Sequence, residues 1–361
     1  MKNAVLTHIV CVESLKIFIM FEKGLNIVGI EELSTTFNEF NNLVTLVIHS
    51  IHGRGMEDGE PLTDKDRKDI KVLLSEGRGI VNRVYRCLDT TINRAELSSL
   101  LRRYEVNKPF KVSPMLYDFI EANLLVYELT EGDYDFTVPP LTFAWREIDE
   151  KKLTDYDAMI REALLRVGAK HVELVPETSS VILKLPNMHL DYGTSYRGYT
   201  IKYLNEHLVK NGVTSGYINM GGNLHMIGNK TDGKQWRTSL INKLDNGKLI
   251  GVIELKNKSI ASATVNERGY VKGIRLYRHL IDPYTGEKRK FGLSDITCVS
   301  DSPWAADIST TVLFLLGLER GEKFMKELSE KLGIFLAYAA VDNNGKVYVS
   351  PKLKFVPADS L

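Results

Sequence analysis

The segment that follows Ser113 and Pro114 carries the clearest helical pattern of apolar residues in the chain. A serine before a proline is a favoured helix start, because the serine caps a free amide and the proline has no amide to leave unpaired. Apolar side chains then recur every three or four positions as far as Tyr127, and only Asn123 interrupts this stripe. The pattern predicts a helix that begins at Ser113 and is closed by Gly132.

Further helices follow from similar signals. A helical stretch begins at Asp66, although Gly77 and Gly79 weaken it. Thr154, with Asp157 three residues later, is a helix start whose helix we expect to end at Gly168. A second Ser-Pro pair opens an apolar helix near the end of the chain. These helices are predicted at residues 66–88, 154–168, 200–210, 302–316 and 319–331.

Short segments rich in valine, isoleucine and threonine predict strands, most of them in the second half of the chain. A hairpin is predicted over residues 339–349, around the turn Asp-Asn-Asn-Gly at 342–345. Because strands and helices are mixed without regular alternation, an α+β fold is favoured over a doubly wound sheet. The other strands are predicted at residues 43–49, 171–175, 181–185, 216–220, 252–255, 259–263 and 296–300.

The composition is that of a globular chain of 361 residues, 43% hydrophobic and 26% charged, which excludes wholesale disorder. The net charge of +1 gives no global field to hold nucleic acid or an anionic membrane. No uncharged apolar run approaches the about 18 residues of a membrane helix, so we expect no membrane span. The cysteines Cys11, Cys87 and Cys298 are widely spaced and odd in number, which favours buried thiols in a reducing compartment over disulfides.

The N-terminal residues 1–21 superficially resemble a signal peptide. Glu13 and Lys16 interrupt their apolar stretch, so we favour a non-targeting extension over a signal. We therefore expect an N-terminal extension over residues 1–37, one domain over residues 38–361, and a cytoplasmic location.

Two turns with glycines are candidates for ligand binding. In the segment 191–199, Asp-Tyr-Gly-Thr-Ser-Tyr-Arg-Gly-Tyr, the backbone amides and the positive end of the following helix can hold phosphate oxygens. In the segment 218–223, Ile-Asn-Met-Gly-Gly-Asn, paired glycines let a ligand approach the backbone closely. Taken alone, the first is also explained as an ordinary connection and the second as a tight turn. The chain has no Gly-x-Gly-x-x-Gly or P-loop pattern to support an ordinary NAD or ATP site.

Two pairs of polar residues are candidates for catalysis or metal binding. His279 lies three residues before Asp282, and a histidine near a carboxylate can shuttle protons, although it can also simply bond to a backbone carbonyl. Asp307 and Thr311 lie four residues apart on an apolar helix, so their oxygens share one face and suit a hard cation such as magnesium. The alternative is that Asp307 complements the helix dipole and Thr311 bonds to its own helix.

Read in chain order, these four segments resemble the FAD:protein FMN transferase (ApbE) family. The family pattern runs Asp-Leu-Gly-x-Ile-Ala-Lys-Gly-Tyr, Asn-Leu-Gly-Gly-Asp/Asn, His-Ile-Ile-Asp-Pro-x-Thr-Gly and Ala-Asp-x-x-Ser-Thr-x-Leu-Phe. Upstream, residues 132–145 are similar to its Gly-x-Phe-Asp-x-Thr-Val-Gly-Pro-Leu-x-x-x-Trp segment. Each motif is weak alone, but five in the right order are specific, and the resemblance covers roughly residues 38–320.

The resemblance implies an α+β fold with a T-fold-like core of mixed strands and packed helices, and a cleft that holds FAD. It implies a magnesium-dependent transferase that cleaves FAD, passes FMN to a threonine of an acceptor flavoprotein and releases AMP. Hydrolysis of FAD to FMN and AMP is a variant within the family, and a non-catalytic FAD-binding protein is a third possibility. No acceptor-like run Asp/Ser-Gly-x-Ser/Thr-Thr occurs in this chain, so we expect no flavin attached to the chain itself.

The resemblance also implies roles for individual residues. The magnesium ligands would be Asp307, Thr311 and a backbone carbonyl, best aligned with Tyr196. His279 would lie at the reaction centre, and Asp282 would orient it or its loop. The residues that match segments bordering the cofactor or its phosphates are Asp135, Thr137, Arg197, Gly221, Gly222 and Asn223.

Several positions depart from the family pattern. Arg197 replaces a lysine, which keeps the positive charge but changes the donor geometry. Pro139 stands where the pattern has glycine, residues 262–264 read Ser-Ala-Thr where it has Thr-Ser-Gly, and Leu101 replaces an asparagine. These changes leave the expected metal and histidine positions intact and fall on the expected flavin contacts, which predicts a diverged member with altered flavin selectivity.

Overall fold

The computed structural model describes residues 33–39, 42–242, 247–264, 270–271, 274–275 and 281–360. Within these ranges the α-helices are α1 (Asp64–Leu88), α2 (Glu96–Arg103), α3 (Pro114–Leu129), α4 (Pro139–Lys151), α5 (Asp157–Leu164), α6 (Tyr196–Lys210) and α7 (Pro303–Leu332). The first eight strands are β1 (Leu33–Glu39), β2 (Asn42–Ile51), β3 (Phe110–Lys111), β4 (Val172–Val175), β5 (Ser180–Leu183), β6 (Val213–Met220), β7 (Asn223–Ile227) and β8 (Trp236–Asn242). The others are β9 (Lys248–Leu255), β10 (Lys258–Thr264), β11 (Tyr270–Val271), β12 (Ile274–Arg275), β13 (Leu293–Ser300), β14 (Leu336–Asp342), β15 (Val347–Val349) and β16 (Phe355–Pro357).

An antiparallel sheet of eight strands, in the order β1-β2-β6-β7-β10-β13-β14-β15, forms the centre of the molecule. Side chains alternate between the two faces of a sheet. Ile218 belongs to the large core beneath the helices, whereas its neighbour Tyr217 belongs to a core shared with the three-stranded sheet β16-β9-β8. Helices thus cover one face and a small sheet covers the other, which confirms the predicted α+β class.

A third hydrophobic core joins α4 and α5 to Ile281, at the start of the turn 281–289. Trp145 is buried in this core, and its indole donates a hydrogen bond to the carbonyl of Gly286 at 2.7 Å. Lys288 pairs with Asp149 of α4 at 3.2 Å. These contacts hold the turn 281–289, which directly follows the segment that contains His279.

Most predicted elements are present, with ends that differ by a few residues. Helix α3 begins as predicted, and the hydroxyl of Ser113 accepts a hydrogen bond from the amide of Leu116 at 3.3 Å. The helix predicted from 154 to 168 is shorter at both ends, because α5 runs only from Asp157 to Leu164. The residue before it is Tyr156, whose side chain makes no capping hydrogen bond, so Thr154 is not the cap. The two helices predicted after residue 302 are confirmed as the two halves of α7, because Gly317, with a φ of 71°, breaks the helical geometry between them.

Several elements are missing from the sequence-based description, among them α2, α4, β1, β3, β7, β8 and β16. Helix α4 begins with Pro139 and Pro140, which look like helix breakers. Prolines in the first turn lose no helical hydrogen bond, because amides there have no partner within the helix. The apolar spacing of Leu141, Trp145 and Ile148 is the signal that predicts this helix once the prolines are placed at its start.

The expected domain boundary at residue 38 falls inside a described strand. Strand β1 spans that boundary, and it pairs with β2 from Leu33 to Glu39. No helix in the described part of the chain is both long and apolar enough to cross a membrane.

The two glycines inside α1 give a test of how this helix packs. A Cβ on Gly77 would lie 2.5 Å from Cδ1 of the buried Leu46, whereas a Cβ on Gly79 would meet only Arg83, at 3.9 Å. We expect Gly79→Ala to raise the free energy of unfolding by about 1 kcal/mol through helix propensity. Gly77→Ala should give no such gain, because overpacking opposes it. Urea unfolding of both variants measures the difference, and equal stabilisation would contradict this packing.

Candidate active site

A small cleft lies where four segments of the chain meet. They are the loop after α3, the segment before α6, the turn that begins at Ile281, and the middle of α7. Three carboxylates and two threonines belong to its walls. The lining residues are Asp133, Tyr134, Asp135, Phe136, Val138, Asp191, Thr194, Ile281, Thr311 and Leu315.

Asp307 lies where the N-terminal end of α6 meets α7. Its side chain is buried, and its Oδ2 accepts a hydrogen bond from the amide of Gly198 at 2.8 Å. No side chain fits at Gly198, because a Cβ there would lie 2.3 Å from the carbonyl oxygen of Pro303 and 2.7 Å from the Cβ of Asp307. The glycine therefore lets α6 approach closely enough for a backbone amide to orient the carboxylate.

Thr311 lies one helical turn after Asp307 and lines the cleft. Its hydroxyl makes no hydrogen bond to any residue that the structure describes. The neighbouring Thr310 instead bonds to its own helix, donating to the carbonyl of Asp307 at 2.8 Å. The hydroxyl of Thr311 can therefore bind a ligand in the cleft. The carboxylate of Asp307 and this hydroxyl are the kind of oxygen donors that magnesium prefers.

The third expected metal ligand, the carbonyl of Tyr196, is already engaged. It accepts a hydrogen bond from the hydroxyl of Thr200 at 2.7 Å within the first turn of α6. Thr194, in the same matched segment, lines the cleft. A carbonyl oxygen has two lone pairs, so the backbone ligand stays a prediction within residues 194–196.

Arg197 connects the two glycine-containing segments. Its Nη1 donates to the carbonyl of Gly221 at 3.3 Å, and its Nη2 lies 3.9 Å from Oδ1 of Asp307. The Gly221-Gly222 turn leads into Asn223, which is 2% exposed. Neither side-chain polar atom of Asn223, nor the hydroxyl of Ser195, has a hydrogen-bond partner among the described residues. Buried polar groups are normally paired, so these orphaned atoms fit a polar ligand.

Asp135 and Thr137 serve mainly to hold their own loop. The Oδ1 of Asp135 accepts from the amide and hydroxyl of Thr137, and its Oδ2 accepts from the amide of Ala169 at 2.9 Å. The hydroxyl of Thr137 accepts from the amide of Gly168 at 2.7 Å. Burial raises the pKa of Asp135 above its ordinary value, although these hydrogen bonds oppose the shift. Of the two, only Asp135 lines the cleft.

Asp282 lies beside the cleft, and both of its oxygens are occupied. Oδ1 accepts from the amides of Tyr284 and Thr285, and Oδ2 accepts from the guanidinium of Arg289. Burial opposes ionisation, but the two amides and the guanidinium hold the pKa of Asp282 below its ordinary value. The structure therefore favours the role of orienting the loop. His279 lies outside the described residues.

Sequence reasoning missed a buried polar chain that supports the cleft. Asn123 is fully buried; it donates to the carbonyl of Phe119 at 2.7 Å and accepts from the phenol of Tyr134 at 2.6 Å. The Tyr134 oxygen lies 2.9 Å from the hydroxyl of Thr194 in the opposite wall. Burial raises the pKa of Tyr134, which keeps the phenol protonated as a donor. The sequence feature that could have predicted these hydrogen bonds is Asn123, the single polar residue in the apolar stripe of α3.

The chain is similar to known proteins over most of its length. The model of the ApbE family matches residues 65–336. A Klebsiella pneumoniae protein named FAD:protein FMN transferase is 27% identical over 296 residues, which cover 80% of this chain and 90% of that protein. An Escherichia coli K12 protein of the same name is 23% identical over 274 residues, covering 74% of this chain and 77% of that protein.

Solved structures show the same fold. Flavin transferase ApbE from Vibrio cholerae aligns with a TM-score of 0.72 at 20% identity, covering 90% of this chain and 98% of that one. The ApbE protein from Thermotoga maritima aligns with a TM-score of 0.70 at 22% identity, covering 89% and 97%. Since the family model spans about three quarters of the sequence, with the five motifs in order, the chain belongs to the ApbE family.

Proposed function

We propose that this chain is an FAD:protein FMN transferase that passes FMN from FAD to a threonine of an acceptor flavoprotein and releases AMP. The observation that carries the proposal is the buried carboxylate of Asp307, which a backbone amide of α6 orients one helical turn before Thr311, whose hydroxyl has no hydrogen-bond partner among the described residues. Relatives that bear this enzyme name over most of the chain support it.

Magnesium is the proposed ion, held by Asp307, Thr311 and a backbone carbonyl of residues 194–196. A carboxylate, a hydroxyl and a carbonyl are the hard oxygen donors that this ion takes from proteins. When bound, magnesium neutralises charge on the phosphate oxygens of the substrate. Arg197 and the first amides of α6 add positive potential from the protein itself.

The reaction is a displacement at phosphorus. The oxygen of the acceptor threonine bonds to the phosphorus of the FMN half, the bond from that phosphorus to the bridging oxygen breaks, and AMP leaves with that oxygen. His279 is proposed to take the proton of the threonine hydroxyl as general base. Asn223, Ser195 and the Gly221-Gly222 turn are proposed to hold polar parts of FAD.

Incubation with FAD and magnesium tests this proposal. In the presence of a flavoprotein that displays the target threonine, we expect flavin bound covalently to the acceptor and AMP in equal amount. Without the acceptor, slow release of FMN and AMP is expected, because water is poorly positioned. Denaturing gels read by flavin fluorescence, with chromatography of AMP, measure both.

Each other function gives its own result in this experiment. Rapid FMN release with an unlabelled acceptor would favour an FAD pyrophosphatase, and FAD retained intact would favour a binding protein. The chain itself is not expected to accept flavin, because Thr264, in the run that departs from the family pattern, lies within β10. A fluorescent band at the 40.8 kDa of this chain would contradict that expectation.

The proposed location is a reducing compartment such as the cytoplasm. Cys87 and Cys298 are free and buried, and burial raises the pKa of both thiols. Free cysteines of this kind are typical of proteins that do not meet an oxidising environment.

A further inference from the structure

The turn between Ile281 and Arg289 is a closed unit. Ile281 and Lys288 pair as an antiparallel bridge. The amide of Asp282 donates to the carbonyl of Glu287, and the amide of Gly286 donates to the carbonyl of Asp282, each at 2.8 Å. A unit closed in this way moves as one body, so the contacts at its edges decide where it lies relative to the cleft.

Arg289 makes the contacts on the cleft side of this turn. Its Nε and Nη2 donate to Oδ2 of Asp282 at 3.1 and 2.9 Å. Its Nη2 also pairs with Asp133, and its Nη1 lies 3.5 Å from the carbonyl of Leu315 in α7. Asp133 and Leu315 both line the cleft. One guanidinium therefore links the turn, the loop after α3 and α7.

We propose that Arg289 is a positioning residue for the transfer reaction, because it fixes the turn that follows His279 in the sequence against the walls of the cleft. This inference rests on the proposed function. It assigns Arg289 no contact with FAD.

The charges of this cluster depend on Arg289. Asp133 and Asp282 are balanced by Arg289 and by Arg320, which pairs with Asp133. The Arg289 side chain is only 16% exposed, whereas that of Arg320 is 54% exposed and thus more strongly screened by solvent. Without Arg289, two carboxylates face each other with one screened partner, and their repulsion pushes the turn away from the cleft wall.

The test compares Arg289→Gln with Lys290→Gln. The control removes the same charge from the next residue, which is exposed. We expect Arg289→Gln to lower the kcat of FAD cleavage about 10- to 100-fold with little change in the KM for FAD, because a small misplacement of catalytic groups has that cost. Lys290→Gln should match the wild type. Arg289→Lys should restore little, because one ammonium cannot bridge both carboxylates.

Two further measurements separate this role from others. Adding Asp133→Asn to Arg289→Gln should recover part of the lost kcat, since it removes the repelling carboxylate. Amide hydrogen exchange over residues 281–288 should be faster in Arg289→Gln than in Lys290→Gln, and this readout needs no FAD chemistry.

The possible outcomes are distinct. An unchanged kcat with a lowered melting temperature would make Arg289 merely structural, and a raised KM with unchanged kcat would make it a substrate contact; either result overturns the inference. Equal hydrogen exchange in both variants overturns it as well. A wild-type protein without any FAD cleavage would instead refute the proposed function, and hydrogen exchange would still decide whether Arg289 holds the turn.

Discussion

Asp307→Asn is expected to lower FAD cleavage by about three orders of magnitude while the fold is retained. Asparagine has nearly the same shape, and its side-chain oxygen can still accept the hydrogen bond from the amide of Gly198. What is lost is the negative charge next to Thr311, which the proposed magnesium ion requires. Removing one electrostatic contact to a developing charge costs about 10²–10³ in turnover, and loss of a metal ligand removes at least that much.

The measurement is FMN and AMP release at increasing magnesium concentration, with the melting temperature recorded for each protein. Asp301→Asn is the matched control, because Asp301 precedes the same helix but accepts from the amide of Phe335 and pairs with Lys258 outside the cleft. The control should keep wild-type turnover. Wild-type activity in excess EDTA, or an active Asp307→Asn variant, would show that the metal assignment is wrong.

A feature of this site can be predicted from the sequence when the residues that form it lie close together in the sequence. The Asp307 and Thr311 pair lies within one helical turn, so its spacing alone predicts a shared face. The cap of α3 at Ser113 is equally local. Both features depend only on residues that are close in sequence, which is why pattern analysis finds them.

The parts that sequence analysis missed depend on tertiary contacts. Arg289 and Asp133 are 156 residues apart in sequence, and no spacing rule connects them. The engagement of the Tyr196 carbonyl follows from the position of Thr200 on α6, so it appears only when the start of that helix is known.

His279→Ala is expected to lower the rate of flavin transfer by about two to four orders of magnitude, which is the usual contribution of a general acid or base. The structure supports a fixed place for the segment that follows this histidine. Both carboxylate oxygens of Asp282, three residues later, accept hydrogen bonds, one from amides of its own turn and the other from Arg289. The indole of Trp145 donates to the carbonyl of Gly286 in the same turn. The residues that follow His279 in the sequence are therefore anchored on both sides.

FAD binding should survive this substitution, because the groups proposed to hold FAD, among them Arg197 and Asn223, lie on other segments. The experiment therefore measures the affinity for FAD and the single-turnover rate of acceptor labelling on the same protein. His207→Ala is the control, since His207 pairs with Glu76 on α1, away from the cleft. Added imidazole should restore part of the rate in His279→Ala, because it replaces the missing base. A variant within twofold of the wild-type rate would show that His279 has a structural role instead.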